Sequence, residues 1–345
     1  MNSYDESAID RVVVTGGSGF IGTNLIEFLR NLEPQVEILN LDKCAPRNPK
    51  AAGEWVEVDL LDGNAVSEAI RGFAPRYVFH LGARTDLQGK SAAEYEANVQ
   101  GLRAVIEAVR GTPSVERTIY ASSRLVCKIG YLPQGEADYC PPNAYGESKV
   151  AGELIVRAEA PGDWVIVRPT SIWGPWFGVP YRDFFDSVLR GRYVHIGSAE
   201  LPKSFGYVGN SAYQLWRIAT SPTAVSGQTL YLGDYPPIEV GSFAEEIRVR
   251  AGLRSLPRVP IWVMKPVAIM GDLLAKGGWV DVPLTSFRLR NLLTPMVYDL
   301  DPLEAVVGPL PYTAEEGINA TLTWMGESTS GLTRAASGPQ SPAVA

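Results

Sequence analysis

The chain has 345 residues, 46% of them hydrophobic and 20% charged, which is room for one large domain or two modest ones and excludes a small stapled or disordered chain. Its 31 Lys and Arg against 38 Asp and Glu leave a net charge of −7, which argues against nucleic acid or an anionic membrane and for a small-molecule partner. Three scattered cysteines (Cys44, Cys127, Cys140) fit neither a disulfide framework nor a zinc site, and two histidines (His80, His195) give no basis for a metal centre, so a reducing cytoplasm is the expected compartment.

Met1 to Asp10 is polar and acidic, without the basic start and apolar run of a secretory signal. Arg11 to Thr15 is a short β-branched run, followed by a Gly-rich turn and by Ile21, Leu25, Ile26 and Leu29 at helical spacing, so it predicts strand, loop, helix. Strands are then expected at Val36 to Leu41, Trp55 to Val58, Tyr77 to Leu81, Arg117 to Ala121 and Trp164 to Val167. Helices are expected at Val66 to Arg71, Ala92 to Arg110 and Ala144 to Ala160, with Gly111 and Pro113 placed to end the second. Strands alternating with helices predict βαβ units and a parallel sheet covered on both faces. Residues 1–168 are therefore expected to form a doubly wound α/β domain of the Rossmann kind. From 169 to 326 Pro and Gly become frequent and aromatic residues crowd Trp173 to Phe185, which predicts a smaller mixed α/β lobe over the carboxyl edge of the sheet, with the chain free to cross between lobes. The apolar stretch Ile261 to Ala275 is broken by Lys265, Pro266, Gly271 and Asp272 and is too short to span a bilayer; it reads as a packed helix or as a surface that touches lipid or a partner. Residues 327–345, rich in Ser, Thr, Gly, Ala and Pro, are expected to be a flexible tail.

The segment Thr15-Gly16-Gly17-Ser18-Gly19-Phe20-Ile21-Gly22 puts glycines where a tight turn, a bare backbone beside a pyrophosphate and a close helix–strand contact each need one. The helix start at Phe20 and Ile21 then offers unpaired N–H groups to the phosphates. Asp42, 20 residues after Gly22, can accept from both ribose hydroxyls and would repel a 2′-phosphate, so NAD is expected. Lys43 and Arg47 follow at once and leave NADP open. Asp59 is either a solvated strand end or a group near the adenine.

Tyr145-Gly146-Glu147-Ser148-Lys149 sets a phenol and an ammonium four residues apart on one helix face. The cation is expected to lower the phenol's pKa and make Tyr145 an acid and base for a carbinol oxygen.

TGGSGFIG, Asp42, Asp59-Leu60, His80-Leu81-Gly82-Ala83, Tyr145-x-x-x-Lys149 and Arg168-Pro169 through Trp173-Gly174-Pro175 together resemble the extended short-chain dehydrogenase/reductases, the NAD-dependent epimerase/dehydratase group, over about residues 11 to 325. The resemblance implies a catalytic set of Ser123, Tyr145 and Lys149. It implies a cofactor site of Gly16, Gly19, Phe20, Ile21, Gly22, Asp42, Lys43, Asp59, Leu60, Leu81, Gly82, Ala83, Tyr145, Lys149 and Pro169. It gives Asn98 the task of ordering backbone near the site, and His80 a structural part. Where the family usually continues with Tyr-Gly this chain has Cys127-Lys128. Where 4,6-dehydratases carry Asp-Glu it has Arg124-Leu125, so that elimination is not expected. Lys203 stands where a nucleotide-sugar phosphate clamp tends to have Arg, and Gly209-Asn210 where it has Asp-Asp. Arg84, Ser123, Arg182, Lys203 and Arg288 are the expected substrate contacts, with Arg182 and Arg288 either completing the clamp or lying in solvent. The aromatic side chains between Trp173 and Phe185 either stack on a base or sugar or pack the second lobe.

The implied chemistry is hydride transfer between NAD and a nucleotide-activated sugar, with 4-epimerisation as the leading expectation. The alternatives are a ketoreductase or dehydrogenase of a nucleotide sugar or of an apolar alcohol of steroid or flavanol type, and a non-catalytic cofactor-sensing protein. The helices Ala92 to Arg110 and Ala144 to Ala160 resemble those that pair subunits in the family, so a homodimer is expected.

Overall fold

The computed structural model describes residues 11–32, 35–51, 53–197, 200–222, 225–277, 279 and 284–336. The first half runs β1 (Arg11–Thr15), α1 (Phe20–Leu32), β2 (Glu37–Asp42), β3 (Glu54–Glu57), α2 (Gly63–Phe73) and β4 (Tyr77–His80). A 3-10 helix (Ala92–Asn98) follows, then α3 (Gln100–Arg110), β5 (Arg117–Ala121), a 3-10 turn (Arg124–Val126), α4 (Ala144–Glu159) and β6 (Asp163–Pro169). Fully buried runs such as Val12–Val14 are what a parallel strand covered on both faces requires.

The second half runs β7 (Ser171–Trp173), α5 (Tyr181–Leu189), β8 (His195–Ile196), β9 (Pro202–Lys203), β10 (Phe205–Tyr207), α6 (Val208–Thr220), β11 (Thr229–Leu232), β12 (Ile238–Glu239), α7 (Val240–Arg250), β13 (Arg258–Val259), α8 (Ile261–Lys276), α9 (Ser286–Leu293), α10 (Asp301–Val307) and α11 (Ala314–Ala336). Seven parallel strands in the order β11-β6-β5-β4-β1-β2-β3 form the main sheet. The order reverses between β1 and β4, and in such sheets ligands bind in the crevice at the carboxyl ends of the strands flanking that point. At that edge the Thr15 hydroxyl and His80 Nδ1 lie 2.8 Å apart.

One core packs α1, α6 and α10 on one face of the sheet, and a second packs α2, α3 and α4 on the other. Beyond residue 168, β11 joins the main sheet and α6 and α10 pack in its core. What remains of the second half is a lobe of three two-stranded pairings around an aromatic core of Trp173, Phe177, Phe185, Tyr207 and Phe243.

Three segments differ from expectation. Ala92 to Arg110 is not one helix, because Tyr95 leaves helical geometry (φ −108°, ψ 30°) to reach the preceding loop, its hydroxyl donating to Asp86 O and accepting from Gly89 N. α8 packs mainly on α9 and buries only Ala268 and Gly271, so Trp262, Ile269, Met270 and Leu273 face solvent. The stretch is therefore a helix packed along one side only, with an exposed apolar face. α11 carries helix through Ala336, into the stretch expected to be a flexible tail, since extending an existing helix is far easier than nucleating one; residues 337–345 lie outside the described residues. No helix among the described residues is long and apolar enough to cross a membrane.

Candidate active site

Backbone builds the nucleotide side of the crevice. Gly16 adopts φ +71°, and a Cβ there would lie 2.6 Å from Gly82 Cα and N, so the ends of β1 and β4 meet main chain to main chain. A Cβ at Gly22 would collide with the Gly16 carbonyl, which keeps α1 against the loop. A Cβ at Gly19 would meet only Gly16 O, at 3.0 Å, leaving this stretch of backbone bare toward the crevice. The first-turn N–H groups of α1, from Phe20 and Ile21 on, have no partner inside the helix. Asp42 closes β2 with Oδ2 accepting from Ser18 N (3.0 Å) and Oδ1 from Cys44 N (2.9 Å), so the carboxylate is locked beside the glycine loop. Lys43 is exposed next to it. Asp59 is exposed and caps a turn through Leu61 N, while Leu60 lies under Gly82 and Gly101, where a Cβ would come within 2.6 Å and 2.8 Å of its side chain. Leu81 continues the ladder through Thr15 O, Ala83 follows Gly82 along the same edge, and Pro169 closes β6. Bare glycine backbone, an open helix start and a fixed carboxylate at the end of β2 fit a dinucleotide.

The facing side of the crevice is made of side chains. Asn143 caps α4 by accepting from Gly146 N at 2.9 Å, and one turn of helix then presents Tyr145 and Lys149 to the sheet edge. Ser123 ends the segment after β5, its Oγ accepting from Leu125 N, and its hydroxyl acts on the Tyr145 phenol to favour the ionised form. The Tyr145 ring packs 5.9 Å from that of Tyr95. Lys149 Nζ donates to Ala121 O at 2.9 Å.

The expected acidification of the phenol by Lys149 is not found in the free protein. Burial pushes Tyr145 up to about 12, against the opposing pull of Ser123 and of the Arg124 charge. Burial likewise pulls Lys149 down to about 8, with Glu153 acting in the other direction. Desolvation outweighs the pairwise attraction in both groups. His80 is buried, lowered to about 3 by desolvation and then by the Lys149 charge, and is a neutral structural residue at neutral pH.

Beneath this pair lies an ion pair that sequence reasoning missed. Glu153 accepts from Ser122 Oγ (2.6 Å) and Arg168 Nε (2.8 Å) at Oε1, and from Tyr139 OH (2.9 Å) and Arg168 Nη2 (2.7 Å) at Oε2. Both side chains are 1% exposed. The available signal was an arginine at the end of the otherwise apolar run Val165-Ile166-Val167, together with a glutamate one turn beyond Lys149. Asn98 accepts from Arg84 N (2.8 Å) and donates to Arg84 O (3.0 Å) and Ser148 Oγ (3.0 Å), tying the loop after β4 to α4.

The expected substrate contacts are more dispersed. Arg84 turns onto Asp86 and Glu94 O and over the Tyr95 ring. Arg182 stands over Trp324, 5.2 Å from the ring centre, and pairs with Asp186. Lys203 donates to Asn291 O at 2.9 Å, and Arg288 is exposed on α9. Asn210 holds Asp234 and the backbone of Tyr312, a structural task. Trp173, Phe177 and Phe185 pack against one another and Phe243 with ring centres about 5 to 6 Å apart, so they form core and not a stacking platform. The guanidinium fork of a diphosphate clamp is thus not assembled by Arg182, Lys203 and Arg288, because neighbours in the fold already engage the first two and the third faces solvent.

Residues 12–232 match the NAD dependent epimerase/dehydratase family. A 3-beta-hydroxysteroid dehydrogenase of Mycolicibacterium neoaurum is 29% identical over 279 residues, covering 73% of each chain. The N-acetyl-alpha-D-glucosaminyl-diphospho-ditrans,octacis-undecaprenol 4-epimerase of Escherichia coli O157:H7 is 26% identical over 331 residues, covering 91% of this chain and 95% of its own. The fold is that of the UDP-glucose 4-epimerase of Thermotoga maritima, solved with UDP-glucose, at a TM-score of 0.69 and 18% identity over 92% of this chain and 99% of that one. With the glycine loop, the locked aspartate and the Ser-Tyr-Lys constellation in place, the chain belongs to the NAD-dependent epimerase/dehydratase family and is an enzyme of the extended short-chain dehydrogenase/reductase type.

Proposed function

We propose that this enzyme interconverts a secondary alcohol and its ketone, releasing the oxidised or reduced product as a dehydrogenase or ketoreductase. The observation that carries the reading is that Ser123 acts on the buried Tyr145 phenol, while Lys149, one helical turn further on, donates to Ala121 O at the end of β5. Bound NAD supplies the hydride acceptor or donor. Gly16, Gly19, Gly22, Asp42 and Lys149 would hold it. Ser123 holds the reacting oxygen, and Tyr145, kept protonated at neutral pH by its burial, hands its proton to a carbonyl oxygen in reduction and takes one back in oxidation. Lys149 would bond the nicotinamide ribose, its buried Nζ donating to Ala121 O in the free protein.

A diphosphate clamp that is not assembled supports release of product over turnover of a nucleotide-sugar ketone within the site, and the steroid dehydrogenase relative supports an alcohol substrate. The second reading, 4-epimerisation of a nucleotide- or diphosphate-activated sugar, is favoured by the nearly full-length likeness to the E. coli epimerase. Following NADH absorbance while the protein is offered 3-oxo esters, ketosteroids and UDP-sugars separates them. Stoichiometric NADH consumption with a ketone is the expected result, and interconversion of sugar epimers without added NADH, with no ketone reduced, would overturn it.

A further inference from the structure

Cys127 and Cys140 stand thirteen residues apart in a stretch with no cysteine motif, yet the fold sets them side by side. They are the paired residues of an isolated parallel bridge, in which Cys140 N donates to Val126 O (3.0 Å) and Lys128 N donates to Cys140 O (2.7 Å). Residues paired in this way have Cα atoms about 4.8 Å apart and send their side chains to the same face. That spacing lies inside the roughly 4.4–6.8 Å that a disulfide spans, with the Cβ vectors aligned. Both are free thiols, Cys127 buried and Cys140 half-buried. Cys127 also stands where the family usually has Tyr, so the pair is a property of this chain and not of the family pattern.

The bridge joins the two chain segments that carry the acid–base groups. Ser123 lies four residues before Cys127 and Tyr145 five after Cys140, with the 3-10 turn Arg124–Val126 on one arm and the Asn143 cap of α4 on the other. Between the cysteines, residues 128–139 form a loop anchored on three sides. Its Tyr139 hydroxyl donates to Glu153 Oε2 (2.9 Å), its Glu136 carbonyl accepts from Arg168 Nη2 (2.6 Å) and its Gly130 N donates to Met296 Sδ (3.3 Å). A covalent bond at the neck of this loop would tie both arms together, and main-chain hydrogen bonds already hold them in register. Cys127 Sγ donates to Asp138 O (3.3 Å) and has to turn from it to reach its neighbour. Cys140 is the more accessible of the two, and burial pushes the Cys127 thiol up, so Cys140 is the thiol that an oxidant meets first.

We propose that Cys127 and Cys140 form a reversible oxidation site, closing a disulfide that staples the Ser123 and Tyr145 segments when a small disulfide such as glutathione disulfide accumulates. The Cys140 thiolate attacks one sulfur of the oxidant, whose S–S bond breaks. One glutathione leaves, takes up the proton that Cys140 gave, and a mixed disulfide remains on Cys140. The Cys127 thiolate then attacks Cys140 Sγ, the second glutathione leaves with the Cys127 proton, and the protein S–S bond forms. The two cysteines have together lost two electrons and two protons, and the oxidant has gained both. A reducing compartment keeps such thiols open, so the staple answers an oxidative load, and excess glutathione reopens it. The inference goes beyond the alcohol–ketone reading and holds for any substrate of the site.

The test is peptide mapping by mass spectrometry after the folded protein is incubated with glutathione disulfide, quenched in acid and alkylated. The expected product is a peptide cross-linked between Cys127 and Cys140, lighter by two hydrogens than its reduced parts, and dithiothreitol should erase it. Cys127→Ser should stop the reaction at a glutathione adduct on Cys140, and Cys140→Ser should leave Cys127 unmodified. In a Cys44→Ser background, which removes adducts on the exposed third cysteine, the oxidised protein should melt about 3–8 °C above the reduced one, the gain expected from closing a loop of this length. Amide exchange across residues 128–139 should slow at the same time. A glutathione adduct that persists on Cys140 in the unsubstituted protein, a cross-link that forms only in denaturant, or no reaction at either cysteine would overturn the proposal. An oxidised form that melts below the reduced one would overturn it as well, because the bond would then distort the bridge it is proposed to staple. Mapping of the unsubstituted protein decides by itself should a serine variant not fold.

Discussion

On the nucleotide side of the crevice the close contacts are made by main chain that glycine lays bare, Gly16 against Gly82 and Gly22 against Gly16, whereas on the opposite side they are made by Ser123, Arg124, Tyr145, Lys149 and Lys203, side chains charged or polar and largely buried. A surface made of backbone is intolerant of added atoms and indifferent to most charges. One made of buried polar side chains tolerates shape changes better than the loss of a partner, since each removal strands another group.

The sharpest break of this contrast comes from Tyr145→Phe. It removes one hydroxyl and should lower kcat by about 10²- to 10⁴-fold while leaving NAD affinity within severalfold, read by steady-state kinetics and by a fluorescence titration. A variant with wild-type kcat would remove the phenol from the chemistry. Next in size is Arg168→Leu, which strands the Glu153 carboxylate among Ser122 and Tyr139. The expected loss is about 3–5 kcal/mol of stability in a denaturant titration, and the double variant Arg168→Leu/Glu153→Leu should recover much of it. On the other wall, Gly19→Ala sharpens the comparison: its Cβ meets only one carbonyl oxygen at 3.0 Å, so the melting temperature should hold within a few degrees while NAD binding weakens roughly tenfold.

The contrast also carries a pH dependence. Lys149 and Lys203 titrate near 8 in the folded protein, below the ordinary lysine value of 10.5. Between those values the folded state binds fewer protons than the unfolded one, so these sites make stability rise with pH from about 8 to 10.5, and below 8 that gain is absent. Lys149→Met and Lys203→Met should each remove roughly half of the rise, measured by thermal melts across that window.

Legibility in the sequence follows the same division. The glycine spacing, Asp42 and the Tyr145–Lys149 interval are local patterns, and the strands of the first half stand close to where their apolar runs placed them, because a covered parallel strand needs a continuous apolar run. Glu153 and Arg168 were opaque: 15 residues apart on a helix and a strand, they reveal their pairing only once α4 lies on β6. The elevated phenol of Tyr145 was misread for a related reason, since helical spacing shows a neighbouring cation but not the burial that overrides it. Arg182 and Lys203 were assigned by position alone, and the rings and carbonyls that claim them come from residues 324 and 291. Ala92 to Arg110 has helical periodicity throughout, yet the demand of Tyr95 for Asp86 O and Gly89 N breaks it.

The outward-facing α8 has a practical corollary. Of the eight tryptophans, Trp262 and Trp279 are 72% and 68% exposed, whereas Trp173 is 1% exposed in the aromatic core. Iodide or acrylamide should therefore quench a red-shifted share of the emission from the helix and its flank and spare a blue component from the lobe interior, giving two optical reporters within one chain without any label.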